Sequence, residues 1–383
     1  MVAAVRSGES RRSVARKYGV SLLTVQRWVG RAEGQRLDRV DWRDRSSGPC
    51  HAGRRVSRDV EDLVLTLRHD LRAESDLGEF GADAIHAELV ACGITEVPCA
   101  RTIHRILERR GALDSHRRIR HLPPPPGWYL PDVADGRAEL DQFDAVEGLV
   151  IRNGPHIEVL TTVALHSGLV GAWPQPGLKA ATVRELILGH WRECGLPQYA
   201  QFDNDTLFQG PHQHPDVVSS VMRLCLSLDI TPVFVPPRES GFQAAIESFN
   251  GRWQAKVWGR FEHASLEALQ ARSARYVAAY RQRTIARRDA AERRPFPDPW
   301  QLDLQAHPHG RIVFIRRTTE HGCVTFLGHT FLVDPHWIRR HVRCEVQLDE
   351  HHIGFYALRR RAPTEQPLLG EASYVLPRRR FRG

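Results

Sequence analysis

Little in this sequence places it among secreted, metal-stapled or membrane-spanning proteins. Its seven cysteines (50, 92, 99, 194, 225, 323 and 344) are scattered, odd in number and without a Cys-x-x-Cys pair. That argues against a disulfide framework and fits reduced thiols in a cytoplasm. The twenty histidines never combine with cysteines at zinc-finger spacing: His212 and His214 stand too close, and His351 and His352 are adjacent. A structural zinc is therefore not expected. No uninterrupted apolar run approaches the ~20 residues of a spanning helix, and no signal-peptide pattern opens a chain that is already polar at Arg6. The expectation is a cytoplasmic protein with no membrane partner.

What the chain does have is positive charge. Its 54 Lys and Arg outnumber 45 Asp and Glu, giving a net charge of +9. The excess gathers at the ends: residues 1–60 hold fourteen Arg or Lys against six acids, and arginine runs fill 359–361 and 378–380. Nucleic acid is the commonest partner for such a balance, and a nucleoid-associated location follows from it. Hydrophobic content of 42% is ordinary for a globular fold, and 383 residues suffice for two to four domains.

Residues 8–31 carry a helix-turn-helix pattern. Ala15 allows close helix crossing, Gly19 takes the turn, Val25 packs between the helices, and Ser21 suits an N-cap. Gln26 and Arg27 face outward and can reach base edges or phosphates. Residues 36–57 read as a linker. A second unit over 58–117 repeats the logic, with Val60, Leu63, Val64 and Leu67 at helical spacing and Arg101 and Arg105 on an exposed face. A purely structural bundle is the alternative there. Four prolines at 123–126 make a stiff spacer within a linker over 118–135.

From 136 to 290 the pattern becomes α/β. Strands are expected at 157–165, 169–173, 198–202 and 230–235, and helices at 180–194, 217–228, from Ala244, and 265–283. Over 300–383, short alternating segments separated by turns predict a small all-β barrel with a basic tail.

Three acids stand out. Asp144 ends Glu139-Leu140-Asp141-Gln142-Phe143-Asp144, just ahead of the first expected strands. Asp203 follows the apolar run that ends at Phe202. Glu247 lies in the first turn of a helix. Each alone reads as a cap or a solvated charge. Together, three carboxylates from separate segments can hold two divalent cations about 3.5–4 Å apart, a pair that catalyses in-line displacement at phosphorus.

With their neighbours, these segments resemble bacterial insertion-sequence transposases with a retroviral-integrase, ribonuclease H-like core of the DDE type. Asp144 takes the first catalytic place, with Asp141 where the family has an aromatic. His166-Ser167 and Trp173 match the family's strand pair. Asp203-Asn204-Asp205 through Phe208 match the second motif, and Pro236-Pro237 followed by Glu247-Ser248-Phe249-Asn250 match the third. Tyr280 and Arg294-Pro295 match a later Tyr…Arg-Pro stretch. The resemblance implies a multidomain protein with N-terminal helix-turn-helix units, an α/β core and a β-barrel. It implies an enzyme that nicks element ends and joins the freed 3′-hydroxyls to target DNA. Asp144, Asp203 and Glu247 would be both catalytic and metal-binding, with two Mg²⁺ ions for which Mn²⁺ can substitute. The partners would be double-stranded DNA and further copies of the chain, as a homodimer or larger.

Several positions depart from the family. Asp203 and Glu247 are separated by 43 residues where 35 are usual, with 210–217 as the apparent insertion. Glu239 would restore the shorter gap and is the rival third acid. Leu165 and Ala172 replace a usual Asp and Gly, Asp205 stands at a usual Gly, and Ala244-Ala245 replace Asn-Gly. A sequence-specific DNA-binding regulator that has lost catalysis is the alternative function.

Overall fold

The computed structural model describes all residues except 44–55, 114–125, 153, 212–213, 240, 291, 360–363 and 382–383. Most of the first expected linker, the prolines at 123–125 and Arg360-Arg361 lie outside the described residues. The chain divides into two compact units, Met1–Val60 and Glu61–Gly383.

The first unit contains α1 (Val2–Arg6), α2 (Arg11–Lys17) and α3 (Leu22–Arg31). Ser10 and Ser21 cap α2 and α3, accepting hydrogen bonds from the Ser13 and Thr24 backbone N–H groups. Gly19 adopts φ +63°, a left-handed turn conformation natural to glycine. Val14, Ala15 and Val25 are buried together, while Gln26 and Arg27 are exposed.

The helices α4 (Arg58–Glu74), α5 (Ala82–Ala91) and α6 (Ala100–Arg109) follow. Ile85, Leu89, Ile103, Ile106 and Leu107 are buried, and Arg101 and Arg105 are exposed. Arg260, from the segment after the Glu247 helix, donates to the carbonyls of Arg72, Ala73 and Ser75, and Lys256 to that of Gly78. The bundle is thereby tied to the α/β region.

After the short α7 (Pro131–Ala134), the strands are β1 (Leu140–Val150), β2 (His156–Ala164) and β3 (Val170–Gln175). Next come α8 (Ala180–Cys194), β4 (Tyr199–Phe202), α9 (Thr206–Gln209), α10 (Ser220–Ser227) and β5 (Thr231–Phe234). Then follow α11 (Ala244–Trp253), a π-helical turn at Gln254–Trp258, α12 (Leu266–Arg283) and α13 (Ile285–Ala290). The last elements are β6 (Arg311–Arg317), β7 (Cys323–Phe326), β8 (His329–Leu332), β9 (His341–Gln347), β10 (His352–Ala357) and β11 (Leu368–Ser373). One nine-stranded sheet has the order β11-β10-β9-β6-β5-β4-β1-β2-β3. One of its faces packs α8 and α10 around Phe143, Trp191, Phe202 and Phe234. The other carries α11 and α12, with Phe249, Trp253 and Tyr276 against β2 and β3.

Three expectations change. The barrel over 300–383 is not closed among the described residues: β6 pairs parallel with β5, and β9–β11 continue the same sheet. The reason lies in the run Ile312–Ile315, which is buried on both sides. Phe314 stacks on Phe234 at 5.3 Å, while Val313 and Ile315 join Val233 on the opposite face. A strand apolar on both faces belongs inside a sheet covered on both sides. Next, residues 128–133 are packed: Trp128, Tyr129, Leu130 and Val133 are buried against Phe242 and Leu358. Finally, Asp144 lies within an eleven-residue strand rather than ahead of one.

Asp216, within the apparent insertion, is gripped by the C-terminal segments. The Asp216 carboxylate meets His329 Nε2 at 2.7 Å and Tyr374 Oη at 3.0 Å, and pairs with Arg379 at 3.4 Å.

Candidate active site

Strands β1 and β4 run parallel with Leu140 opposite Tyr199 and Gln142 opposite Gln201. Continuing that register two residues brings Asp144 opposite Asp203, about one strand spacing of ~4.8 Å away. Side chains alternate across a strand, so Gln142 and Asp144 share the face on which α11 packs. The Ile246 N–H donates to Gln142 Oε1 at 3.2 Å, and Asn250 Nδ2 donates to Asp144 Oδ2 at 2.7 Å. Asn250 follows Glu247 by three residues, so both lie on one side of α11. Asn250 Oδ1 is buried without a partner among the described residues.

The electrostatics record this convergence. Burial, then the charge of Asp203, and also that of Glu247, push the Asp144 carboxyl up to about 6, against hydrogen bonds from the Ala145 N–H and Asn250. Asp203 is raised as well, first by burial, then by Asp205 and Glu147, against the hydrogen bond from the Asp205 N–H. Glu147 is exposed on β1 and makes a fourth acid nearby, one that no sequence motif singles out.

Glu239 is placed differently. Its carboxylate pairs with His341 Nε2 at 2.5 Å and Arg317 Nη1 at 3.5 Å, both from the C-terminal strands. Asp205 has φ −64°, and its side chain accepts from the Leu207 N–H at 2.7 Å, capping α9. A glycine is not needed at that conformation.

Behind the acids lies a buried amide network. Gln142 Nε2 donates to Gln201 Oε1 at 2.6 Å, Gln201 Nε2 to Tyr129 Oη at 2.6 Å, and Tyr129 Oη to the Phe242 carbonyl at 3.0 Å. It links β1, β4, the 127–130 segment and the approach to α11. On the opposite face of β1, Asp141 accepts two hydrogen bonds of 2.8 Å from Arg293 and one of 3.0 Å from Trp191 Nε1.

A carboxylate donor set of this kind suits a hard divalent cation. Carboxylates such as those of Asp144, Asp203 and Glu247 have that chemistry. Among the described residues, though, no group of three or more His, Cys, Asp or Glu stands placed to hold a metal ion. Gln26 and Arg27 lie in the first compact unit, and Arg101 and Arg105 on α6, apart from the acids in sequence and in element. No helix among the described residues is long and apolar enough to cross a membrane.

No protein-family model matches the chain, and no curated protein does. Among solved structures it is similar to the catalytic core domain of BIV integrase, with 20% identity, 37% of this chain and 81% of that chain covered, and a TM-score of 0.28. It is also similar to the HTLV-2 integrase catalytic core domain in complex with magnesium, at 15% identity, 40% and 86% coverage and a TM-score of 0.27. A third similar structure is the simian T-cell lymphotropic virus intasome in complex with PP2A regulatory subunit B56 gamma, at 12% identity, 68% and 84% coverage and a TM-score of 0.33. These neighbours carry integrase cores, but likeness this slight carries no argument about function.

Proposed function

We propose that this protein is a DNA polynucleotidyl transferase of the transposase or integrase type. In this reading it nicks DNA at element ends and joins the freed 3′-hydroxyl to a second duplex. What supports the reading is the β1–β4 register, which continued by two residues sets Asp144 beside Asp203 just past the end of β4, together with the charges of Asp203 and Glu247 acting on Asp144. Asp144 and Asp203 would together hold two Mg²⁺ ions, with Mn²⁺ able to substitute, and Glu247 would complete one of the two positions. Bound there, such ions supply charge neutralisation and an activated oxygen nucleophile at a phosphodiester. Asn250 holds one Asp144 oxygen in place, and the Gln142–Gln201 pair fixes β1, which carries Asp144, to β4, which ends one residue before Asp203. Glu239, engaged by His341 and Arg317, serves the fold. Gln26, Arg27, Arg101 and Arg105 would grip duplex DNA, and the working complex would hold two or more copies of the chain.

The test is to incubate purified protein with DNA from the repeats flanking its gene and Mg²⁺ or Mn²⁺, and to score 3′-end nicking and strand transfer. Asp144→Asn, Asp203→Asn and Glu247→Gln should each lose at least ~10³-fold of the rate, several kcal/mol of transition-state stabilisation, with DNA affinity nearly unchanged. Glu239→Gln should retain cleavage. Binding without cleavage by the wild type under both metals would favour the regulator. Activity that survives Glu247→Gln but not Glu239→Gln would reassign the third acid.

A further inference from the structure

Arg316 on β6 is an arginine with only 6% of its surface exposed, and among the described residues no carboxylate pairs with it. An unpaired buried charge is costly, and this one is offset by hydrogen bonds and a ring. Its guanidinium donates to the carbonyls of Val235 at 3.1 Å, Ile315 at 2.9 Å and Thr325 at 3.3 Å, and to Asn204 Oδ1 at 3.0 Å, and it stands 5.0 Å from the Phe314 ring. Asn204 in turn donates from Nδ2 to the same Val235 carbonyl at 2.7 Å. The three residues close a triangle between the end of β5, the end of β6 and the turn that follows β4. A guanidinium only donates, so it dictates which end of the amide faces β6. Asp203 is the next residue back along that turn.

A cavity of about 320 Å³ lies against Asn204, Pro237, Arg316 and Thr325. Without the guanidinium, Asn204 has space to swing into and one bond fewer to resist it.

We infer that Arg316 is a positioning residue for Asp203, acting through Asn204, so that the C-terminal strands complete the site in the α/β region. The inference rests on the transferase reading for its consequence in catalysis, but not for its consequence in cation binding. It also assigns the C-terminal segment a role of its own: one side chain, at residue 316, fixes a carboxylate 113 positions earlier in the chain.

The experiment compares full-length wild type, Arg316→Met, Asn204→Ala and the double variant. Three quantities are measured: Mn²⁺ affinity from the free-ion electron paramagnetic resonance signal, nicking rate, and the thermal melt. Each single variant should melt cooperatively yet lose ~10- to 100-fold in Mn²⁺ affinity and in rate, the usual effect of a residue that orients a ligand. The double variant should lose little more than either single one, because the two act as a unit. Wild-type Mn²⁺ affinity in Arg316→Met, or losses that multiply in the double variant, would overturn the inference. If Arg316→Met does not fold, Arg316→Lys decides by the same affinity measurement: weakened binding supports the role, and unchanged binding refutes it. A wild type that binds Mn²⁺ but nicks nothing, with binding weakened in Arg316→Met, leaves the inference standing and removes the transferase reading. A wild type that binds no Mn²⁺ removes both.

Discussion

Asp141 and Asp144 lie three residues apart on β1, facing opposite sides of the sheet, and the two sides treat a carboxylate in contrary ways. On the α8 side, burial alone would raise Asp141. The charge and hydrogen bonds of Arg293, together with His190 and Trp191, more than reverse this and hold it below the usual carboxylate range. On the α11 side, among the described residues, no cation answers Asp144, which burial and the charges of Asp203 and Glu247 push up to about 6. One strand thus carries a carboxylate compensated from within the fold and another raised by burial and by neighbouring acids. An acid raised in this way is a candidate for a functional site, whereas the Asp141–Arg293 pair belongs to the framework.

The sharpest way to break this contrast is to remove the internal cation. Arg293 and Asp141 are 6% and 0% exposed, so Arg293→Met strands a buried carboxylate and should cost ~3–5 kcal/mol in urea unfolding. A loss under 1 kcal/mol would mean that Asp141 finds other compensation. The same pair gives an acid-side signature. Because the folded pKa is depressed, its stabilisation is present above the ordinary carboxylate value and is lost as pH falls through the lower folded one.

The framework aspartate is also the part hardest to read from sequence. β1 does not look like a strand at Asp141 and Gln142, because buried polar residues on both faces break the apolar pattern by which a strand is known. Their partners, Arg293 and Gln201, are 152 and 59 residues away, beyond the reach of any local rule. The sequence does carry α8 at Ala180–Cys194 and the Ser21 cap, since helical spacing and caps are local chemistry. It carries the three acids through their neighbours, but not Glu147, and it marks Asn250 only as a neighbour of Glu247. The spacing of three on one helix is the signal that points to Asn250. Strands β6 to β10 are legible one by one. Their joining to β5 is not, since an apolar run such as Ile312–Ile315 says that a strand is covered without saying beside which strand. β11, Leu368–Ser373, gives no alternation to read.

The opposite change on the other face should move stability the other way. In the absence of divalent cations, Asp144 is easier to ionise unfolded than folded. Its penalty therefore appears as pH rises from about 3.8 to about 6 and is full above that. Asp144→Asn should then be more stable than wild type at pH 7 by up to ~3 kcal/mol, the worth of about two pKa units, and equal to it at pH 3. Added Mg²⁺ should shrink the difference by stabilising only the wild type. A variant less stable than wild type at pH 7 would show that the hydrogen bonds from Asn250 and Ala145 outweigh the repulsion, and the contrast between the two faces would fail.

Arginines divide in the same way, with a smaller expected effect. Arg293 is spent on the fold, while Arg101 and Arg105 stand exposed on α6, one turn apart and on one side of the helix. Their substitution by alanine should leave unfolding within ~0.5 kcal/mol of wild type, as is usual for surface positions. If they neutralise phosphates, duplex affinity should fall at low salt. The slope of log affinity against log salt should then flatten by about 0.9 for each phosphate that is no longer neutralised. An unchanged slope in the double alanine variant would make the second helical unit a structural bundle, and would leave Gln26 and Arg27 on α3 as the remaining candidates for DNA binding.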